Sequence, residues 1–303
     1  MSTWRDARRD AQARLRDAGI ETADAEARWL IEEVSGYDGA ELVAEEGEPA
    51  TERGLEALAG LLERRLAGEP IQYVLGHWAF RDLDLLVDPR VLIPRPETEL
   101  VVEFALEEAV RLGARRAKAT LVTGEATFRA LDLGTGSGAI ALALASELPQ
   151  AHVWAVECSE PAAAVARANV AGNGTVGVRV TLLEGSWFEP LEDSQRGSFE
   201  LIVSNPPYLA DAEIETLDRS VRAHEPHGAL AAGETGLEAI QLIVAEAPNW
   251  LTPEGALVVE LAPQQADTAV QLATAAGFAS AEVRWDLAGR ARVLIARRRA
   301  EVG

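Results

Sequence analysis

Hydrophobic spacing divides the chain into two regimes. Over the first ~75 residues the apolar positions recur at helical intervals. Trp4, Ala7, Ala11, Leu15 and Ala18 share one face, Ala27, Leu30 and Val34 a second, and Leu55, Leu58, Leu62 and Leu66 a third. Gly19, Gly36 and Gly68 follow these runs, and Thr22 or Asp24 and then Thr51 stand where helix caps belong. No strand-like alternation interrupts them, so residues 1–76 are expected to form a helical domain with acidic residues on its solvated face.

The pattern then changes. Ala79–Val87 predicts a strand, Asp88-Pro89-Arg90 a turn and Val91–Ile93 a second short strand, a hairpin linker over 77–95. The string Ile93-Pro94-Arg95-Pro96-Glu97-Thr98-Glu99 stiffens the chain before a helix carrying Leu100, Val101, Phe104 and Val110. Residues 113–127 read as a Gly/Ala/Thr-rich linker. From 128 onward short apolar runs alternate with helical ones. Strands are expected at Arg129–Leu133, His152–Val156, Val178–Leu183, Phe199–Val203, Ala256–Leu261, Ala281–Arg284 and Val293–Ala296. Helices are expected at Gly138–Leu148, Ser159–Ala171, Gly236–Leu251 and Gln264–Ala276. This alternation predicts an α/β domain over 96–303, a mostly parallel sheet with helices on both faces. The last two strands are joined by a loop too short for a helical crossover and should pair antiparallel.

Composition narrows the chemistry. The 303 residues suffice for a core without staples. A net charge of −21 argues against a protein built to grip a phosphate backbone. The same acid excess, with Arg in place of Lys, is what a high-salt cytoplasm or a GC-rich genome would produce. The single cysteine, Cys158, permits neither an intrachain disulfide nor a cysteine zinc cluster, and Glu157 beside it disfavours a thiolate nucleophile. The single lysine, Lys118, and the missing G-x-x-x-x-G-K-[ST] string exclude a P-loop NTPase. No G-x-S-x-G elbow marks a serine hydrolase. His224 and His227 are separated by Glu225-Pro226, with no third histidine near, so no metal site is expected. Met1–Asp6 holds no apolar leader, and the apolar run Ala139–Ala145 is too short to span a bilayer. A cytoplasmic protein is the expectation. Trp4, Trp29, Trp78, Trp154, Trp250 and Trp285 read as packing residues.

Two strings carry chemistry. Leu131-Asp132-Leu133-Gly134-Thr135-Gly136-Ser137-Gly138 ends a strand and opens a helix, where glycines let a ligand approach the backbone. Glu157 ends the next strand, placed to accept hydrogen bonds from ribose hydroxyls. The loop also satisfies a dinucleotide pattern. Asp132 beside it, however, would repel a pyrophosphate and can face the methionine ammonium of S-adenosylmethionine. The second string, Ser204-Asn205-Pro206-Pro207-Tyr208, follows a strand. Methylating a planar NH2 group requires its delocalised lone pair to be localised on nitrogen. The Asn205 side-chain oxygen and the Pro206 carbonyl can each accept one N–H of that group. Pro206 and Pro207 stiffen the loop, and Tyr208 offers a flat face for a planar amide or base.

With these strings, and with Glu69-Pro70-Ile71-Gln72-Tyr73-Val74-Leu75-Gly76 and Asp286-Leu287-Ala288-Gly289-Arg290, nearly the whole chain resembles the release factor glutamine N5-methyltransferases (PrmC/HemK). The Pro-Arg-Pro-Glu-Thr string separates that family from other Asn-Pro-Pro-Tyr enzymes. The resemblance implies an N-terminal helical bundle that docks substrate, a β-hairpin linker and a seven-stranded Rossmann-like methyltransferase domain. It implies methylation of the glutamine amide in the Gly-Gly-Gln motif of class I peptide chain release factors by a monomer. By position, Gly134, Thr135, Gly136, Ser137 and Gly138 would hold the methionine part of S-adenosylmethionine, Glu157 the ribose and Trp187 the adenine. Asn205 would touch both cofactor and substrate, with Pro206, Pro207 and Tyr208 framing the glutamine. Glu157 stands where the family usually has Asp, Ser186 where Asp is common, and Ala262 where Gly is usual. A nucleic-acid amino-methyltransferase, acting on adenine N6 with the same loop, is the alternative; it calls for a basic patch or an added recognition domain.

Overall fold

The computed structural model describes residues 2–114 and 128–300. The linker expected at 113–127 therefore lies, past its first two residues, outside the described residues. The chain divides into two compact units, Met1–His77 and Trp78–Gly303.

The first unit is helical: α1 (Trp4–Asp17), α2 (Ala23–Ser35), α3 (Gly39–Glu45), α4 (Glu52–Leu66) and α5 (Ile71–Leu75). Thr3 and Asp6 form a reciprocal capping box at the start of α1, and Thr51 accepts the Gly54 N–H at the start of α4. Apart from Ala18, which is exposed at the end of α1, the three spacings read from the sequence pack into its core, with Trp4, Leu15, Leu30, Ile31 and Leu62 buried. Glu26, buried in α2, accepts from Arg65 Nε of α4 at 2.6 Å, so the charge taken out of water has its partner. Helices α3 and α5 are too short for periodicity to reveal them.

A hairpin, β1 (His77–Phe80) and β2 (Leu83–Leu86), stands at the start of the second unit, its first residue being the last of the first unit. The hairpin turns at Arg81-Asp82; Asp88-Pro89-Arg90 is a turn as expected, closed by the Val91 N–H on the Asp88 carbonyl at 3.0 Å, but Val91–Ile93 is not a strand. Arg81 holds a positive φ of 53°, and Glu99, Glu103 and Glu147 clamp its guanidinium and backbone N–H. That tertiary anchoring stabilises a turn with no glycine, aspartate-glycine or asparagine-glycine signal.

After α6 (Pro96–Arg111) come β3 (Phe128–Leu133), α7 (Ala139–Glu147), β4 (Ala151–Glu157), α8 (Glu160–Gly172), α9 (Gly174–Gly177) and β5 (Val180–Glu184). Then follow β6 (Phe199–Ser204), β7 (Leu209–Ala210), α10 (Asp211–Ile214), α11 (Arg219–His224) and β8 (Ala231–Gly233). The chain ends with α12 (Glu238–Glu246), β9 (Leu251–Glu260), α13 (Ala266–Ala275), β10 (Ser280–Trp285) and β11 (Ala291–Arg297). Seven strands form one sheet in the order β10-β11-β9-β6-β3-β4-β5. The strands β9, β6, β3, β4 and β5 run parallel, and β11 is antiparallel to both its neighbours. Alternate residues of β3 serve the two faces: Phe128 and Ala130 pack with α6 and α7, Leu131 and Leu133 with α12 and α13.

Two boundaries and one packing residue differ from the sequence reading for local reasons. β9 begins at Leu251, carried through Thr252-Pro253-Glu254-Gly255 by a bulge with Glu254 at φ 64°. α12 is shorter than Gly236–Leu251, because Gly236 sits at φ 76° and Ala247–Asn249, containing Pro248, tightens to a 3₁₀ turn. Trp285 is 61% exposed rather than packed, since β10 is an edge strand that slips register between Arg284 and Trp285.

Candidate active site

From β3 the chain winds outward to β4 and β5, then returns to β6 on the other side of β3. The carboxyl ends of β3 and β6 are therefore neighbours at the point where strand order reverses, the place where open α/β sheets bind ligands. The glycine loop leaves β3 there, and the Asn-Pro-Pro-Tyr loop leaves β6.

Gly134, Gly136 and Gly138 have φ of 73°, 55° and 86°, a region that penalises side chains. The N–H groups of Gly134 and Thr135 both donate to the Val156 carbonyl at 2.9 Å, tying the loop to β4. Glu157, at the end of β4, accepts the Gly136 N–H at 2.8 Å and the Ser159 N–H at 2.9 Å, one on each oxygen. Oε1 also accepts from the Cys158 thiol at 3.8 Å, so the lone pair left free is on Oε2. The side chain one methylene longer than Asp thus reaches back to the loop it faces.

Asp132 is fully buried below this loop. Its Oδ2 accepts from the Thr135 hydroxyl at 2.6 Å and the Ala141 N–H at 3.1 Å, while its Oδ1 is buried without a partner. Burial pushes its carboxyl up to about 7, and the Glu157 charge adds to that.

A cleft of about 240 Å3 opens above the loop, and Gly134, Gly136, Glu157, Trp187 and Asn205 line it, with Cys158, Pro207 and Pro226 on its walls. Thr135 and Ser137 are buried behind the loop, and Gly138 opens α7. Trp187 itself has a positive φ of 48°, and a Cβ at Gly134 would stand 3.7 Å from its ring. A second cleft of about 220 Å3 is lined by Asn205, Pro206 and Tyr208 together with Arg95, Leu217 and Val221. Asn205 lines both.

The structure also brings together residues that the sequence did not single out. Val259 pairs with Ser204 across β9 and β6, so Glu260 and Asn205 leave the sheet side by side. Both reach Thr98 in the first turn of α6. Asn205 Nδ2 donates to Thr98 Oγ1 at 3.0 Å, and Thr98 Oγ1 donates to Glu260 Oε2 at 2.9 Å. The Tyr208 hydroxyl lies 3.5 Å from Glu260 Oε1. Burial pushes Glu260 up to about 7; burial first, and then the Glu260 charge, raise the Tyr208 hydroxyl above its ordinary value. Arg95, between the two prolines, pairs with the buried Glu225, which anchors the segment after α11. Partial burial and Glu157 hold the Cys158 thiol above its ordinary value. His224 Nδ1 bonds the Ser220 carbonyl at 3.0 Å, and among the described residues no three His, Cys, Asp or Glu side chains come together as metal ligands.

Two family models match this chain: the PrmC N-terminal domain over residues 6–76 and the methyltransferase small domain over residues 116–225. A protein of Geobacter sulfurreducens named release factor glutamine methyltransferase is 42% identical over 280 residues, covering 92% of this chain and 91% of its own. One of the same name from Deinococcus radiodurans is 41% identical over 297 residues, covering 97% and 98%. The chain belongs to the release factor glutamine methyltransferase family. Among solved structures, a methyltransferase from Pyrococcus furiosus matches with a TM-score of 0.51 at 20% identity, over 80% of this chain and 99% of its own. The hMettl16 catalytic domain, solved with an RNA hairpin, matches with a TM-score of 0.54 at 14% identity, over 82% of each chain. These two likenesses show the methyltransferase fold. Among the described residues no helix is long and apolar enough to cross a membrane.

Proposed function

We propose that this member of the release factor glutamine methyltransferase family methylates the side-chain amide nitrogen of the Gly-Gly-Gln glutamine in a class I peptide chain release factor, with S-adenosylmethionine as methyl donor. The observation that carries the reading is Asn205, which lines both clefts at the strand-order switch. The nucleic-acid alternative is not favoured: the curated relatives with about 40% identity over most of the chain carry the release factor name.

The first cleft fits the cofactor. Asp132 Oδ1, buried and unpaired below the loop, is an acceptor awaiting a donor such as the methionine ammonium or a water held by it. Gly134 and Gly136 leave the backbone open, Glu157 Oε2 keeps a lone pair for a ribose, and Trp187 offers a flat wall for adenine. When bound, S-adenosylmethionine supplies a methyl group on sulfonium sulfur, which keeps the electron pair of the broken C–S bond.

The second cleft takes the glutamine. Asn205 Oδ1 and the Pro206 carbonyl each accept one N–H of its amide. Two acceptors on opposite N–H bonds draw the nitrogen toward tetrahedral geometry, so its lone pair is free to form the N–C bond. Pro206 and Pro207 hold both oxygens in place before the substrate arrives, and Tyr208 flanks the amide plane. After transfer the nitrogen is acidic and its proton passes to water, so no strong base is needed. The helical unit docks the release factor in the cytoplasm, where translation ends, and one monomer suffices because both clefts belong to the second unit.

The test is mass spectrometry of the Gly-Gly-Gln peptide after incubation with S-adenosylmethionine, a release factor and a duplex DNA control. A gain of one methyl on the glutamine, reduced by on the order of 100- to 1,000-fold in Asn205→Ala, supports the reading. Methyl on DNA alone overturns it.

A further inference from the structure

Asn205 lines the second cleft, and the Thr98 and Glu260 side chains to which it is linked are buried; resting on the role given to Asn205 above, this link bears on how that amide works. We propose that Thr98 and Glu260 are positioning residues that fix which end of the Asn205 amide faces the substrate.

A hydroxyl has one proton. Thr98 gives its proton to Glu260 Oε2 at 2.9 Å, and an ionised carboxylate can only accept. What remains on Thr98 Oγ1 is a lone pair, which the Asn205 Nδ2–H fills at 3.0 Å. Nδ2 is thereby held away from the reacting amide, and Oδ1 is the end left to accept a substrate N–H. The reverse orientation would set Asn205 Oδ1 against the Thr98 lone pair, acceptor against acceptor, and Nδ2–H against the substrate N–H, donor against donor. Protonating Glu260 reverses the relay. A carboxylic acid proton on Oε2 points at Thr98, the Thr98 proton turns toward Asn205, and the amide is drawn to present Oδ1 backwards and Nδ2 to the substrate.

The surroundings of Glu260 make this titration accessible. It is 1% exposed, and burial raises its carboxyl to about 7. The groups facing it are Thr98 and Glu97 of α6, Tyr208 of the loop after β6, and Arg292 of β11. The Arg292 charge, itself 3.4 Å from Asp286 at the β10–β11 turn, favours the carboxylate, and Glu97 opposes it. The expected outcome is a kcat, measured at saturating cofactor and release factor, that falls as pH drops through about 7.

Three variants test the relay. Thr98→Val keeps the shape and removes the hydroxyl. It should lower kcat on the order of 10- to 100-fold, leave the KM for release factor and cofactor affinity within about 2-fold, and be largely rescued by Thr98→Ser. Glu260→Gln cannot titrate, so its acid limb should vanish whatever its absolute rate. The 15N side-chain resonance of Asn205 in the free enzyme, assigned by its loss in Asn205→Ala, should titrate near pH 7 and stop doing so in Glu260→Gln. A Thr98→Val kcat within 2-fold of wild type, with Asn205→Ala inactive, overturns the relay alone; full activity in both overturns the role of Asn205 as well. An acid limb that survives in Glu260→Gln, or an Asn205 resonance indifferent to pH, also overturns the relay. Should Thr98→Val fail to fold, the Glu260→Gln profile and the resonance decide.

Discussion

At the scale of single residues, the site depends on polar groups buried with some of their valences unfilled. Asp132 is the clearest. Its Oδ2 is satisfied twice, its Oδ1 not at all, and burial holds its carboxyl up to about 7. The unfolded carboxyl ionises near ~4. In the free protein, therefore, this group lowers stability as pH rises from ~4 to about 7 and changes nothing further above that. A cationic ligand reverses the preference, because it favours the charged form. Affinity for S-adenosylmethionine should thus strengthen with pH, by up to about 10-fold per unit below the Asp132 midpoint, and level off above it. Calorimetric titrations at pH 6, 7 and 8 check this. Asp132→Asn should bind more weakly at pH 8 and show a flatter profile. A wild-type affinity equal at pH 6 and 8 would contradict the assignment.

At the scale of elements, the question is what holds the Asn-Pro-Pro-Tyr loop still. Ser204 donates to the Leu133 carbonyl at 2.7 Å, fixing the end of β6 to β3. Beyond Tyr208 the chain enters the short parallel pair β7 and β8, and Gln265, at the start of α13, closes the arrangement. Its Nε2 donates to the carbonyls of Tyr208 at 2.9 Å and Gly236 at 2.8 Å, and its Oε1 accepts the Ala262 N–H at 3.0 Å. Gly236 could not carry a side chain there, since a Cβ would stand 2.8 Å from the Tyr208 carbonyl oxygen. Gln265→Ala strands buried groups, costing about 1–3 kcal/mol for each unmet partner. The expected result is a lower melting temperature and a reduced kcat with unchanged cofactor affinity. Melts and kinetics indistinguishable from wild type would show that the loop is held otherwise. This also explains what was legible beforehand. The glycine loop, Glu157 and Asn205-Pro206-Pro207-Tyr208 are contiguous strings whose chemistry is local, and strand periodicity places them at strand ends. Thr98, Glu260 and Gln265 acquire meaning only through the register of β6 on β9 and the packing of α6 and α13. The Arg81-Asp82 turn depends in the same way on three glutamates distant in sequence. Two-residue strands such as β7 carry no period to read.

At the scale of the molecule, the two clefts and the helical bundle belong to different units of the chain. The residues lining both clefts lie between Arg90 and Leu230, wholly within the second unit. The helical unit has a separate core built from Trp4, Leu15, Leu30 and Leu62, and contributes no lining residue to either cleft. Its matched family model nevertheless covers residues 6–76, nearly the whole of it. The docking role proposed for this unit would add a second contact to a substrate already held by one glutamine. A tethered second contact multiplies apparent affinity without altering the reacting geometry. Removal of residues 2–76 should therefore raise the KM for intact release factor by about 10-fold or more, while the KM for a short Gly-Gly-Gln peptide stays within about 2-fold. Cofactor affinity should not move. If the peptide loses as much as the intact protein, the helical unit shapes the catalytic clefts, and docking is not its role.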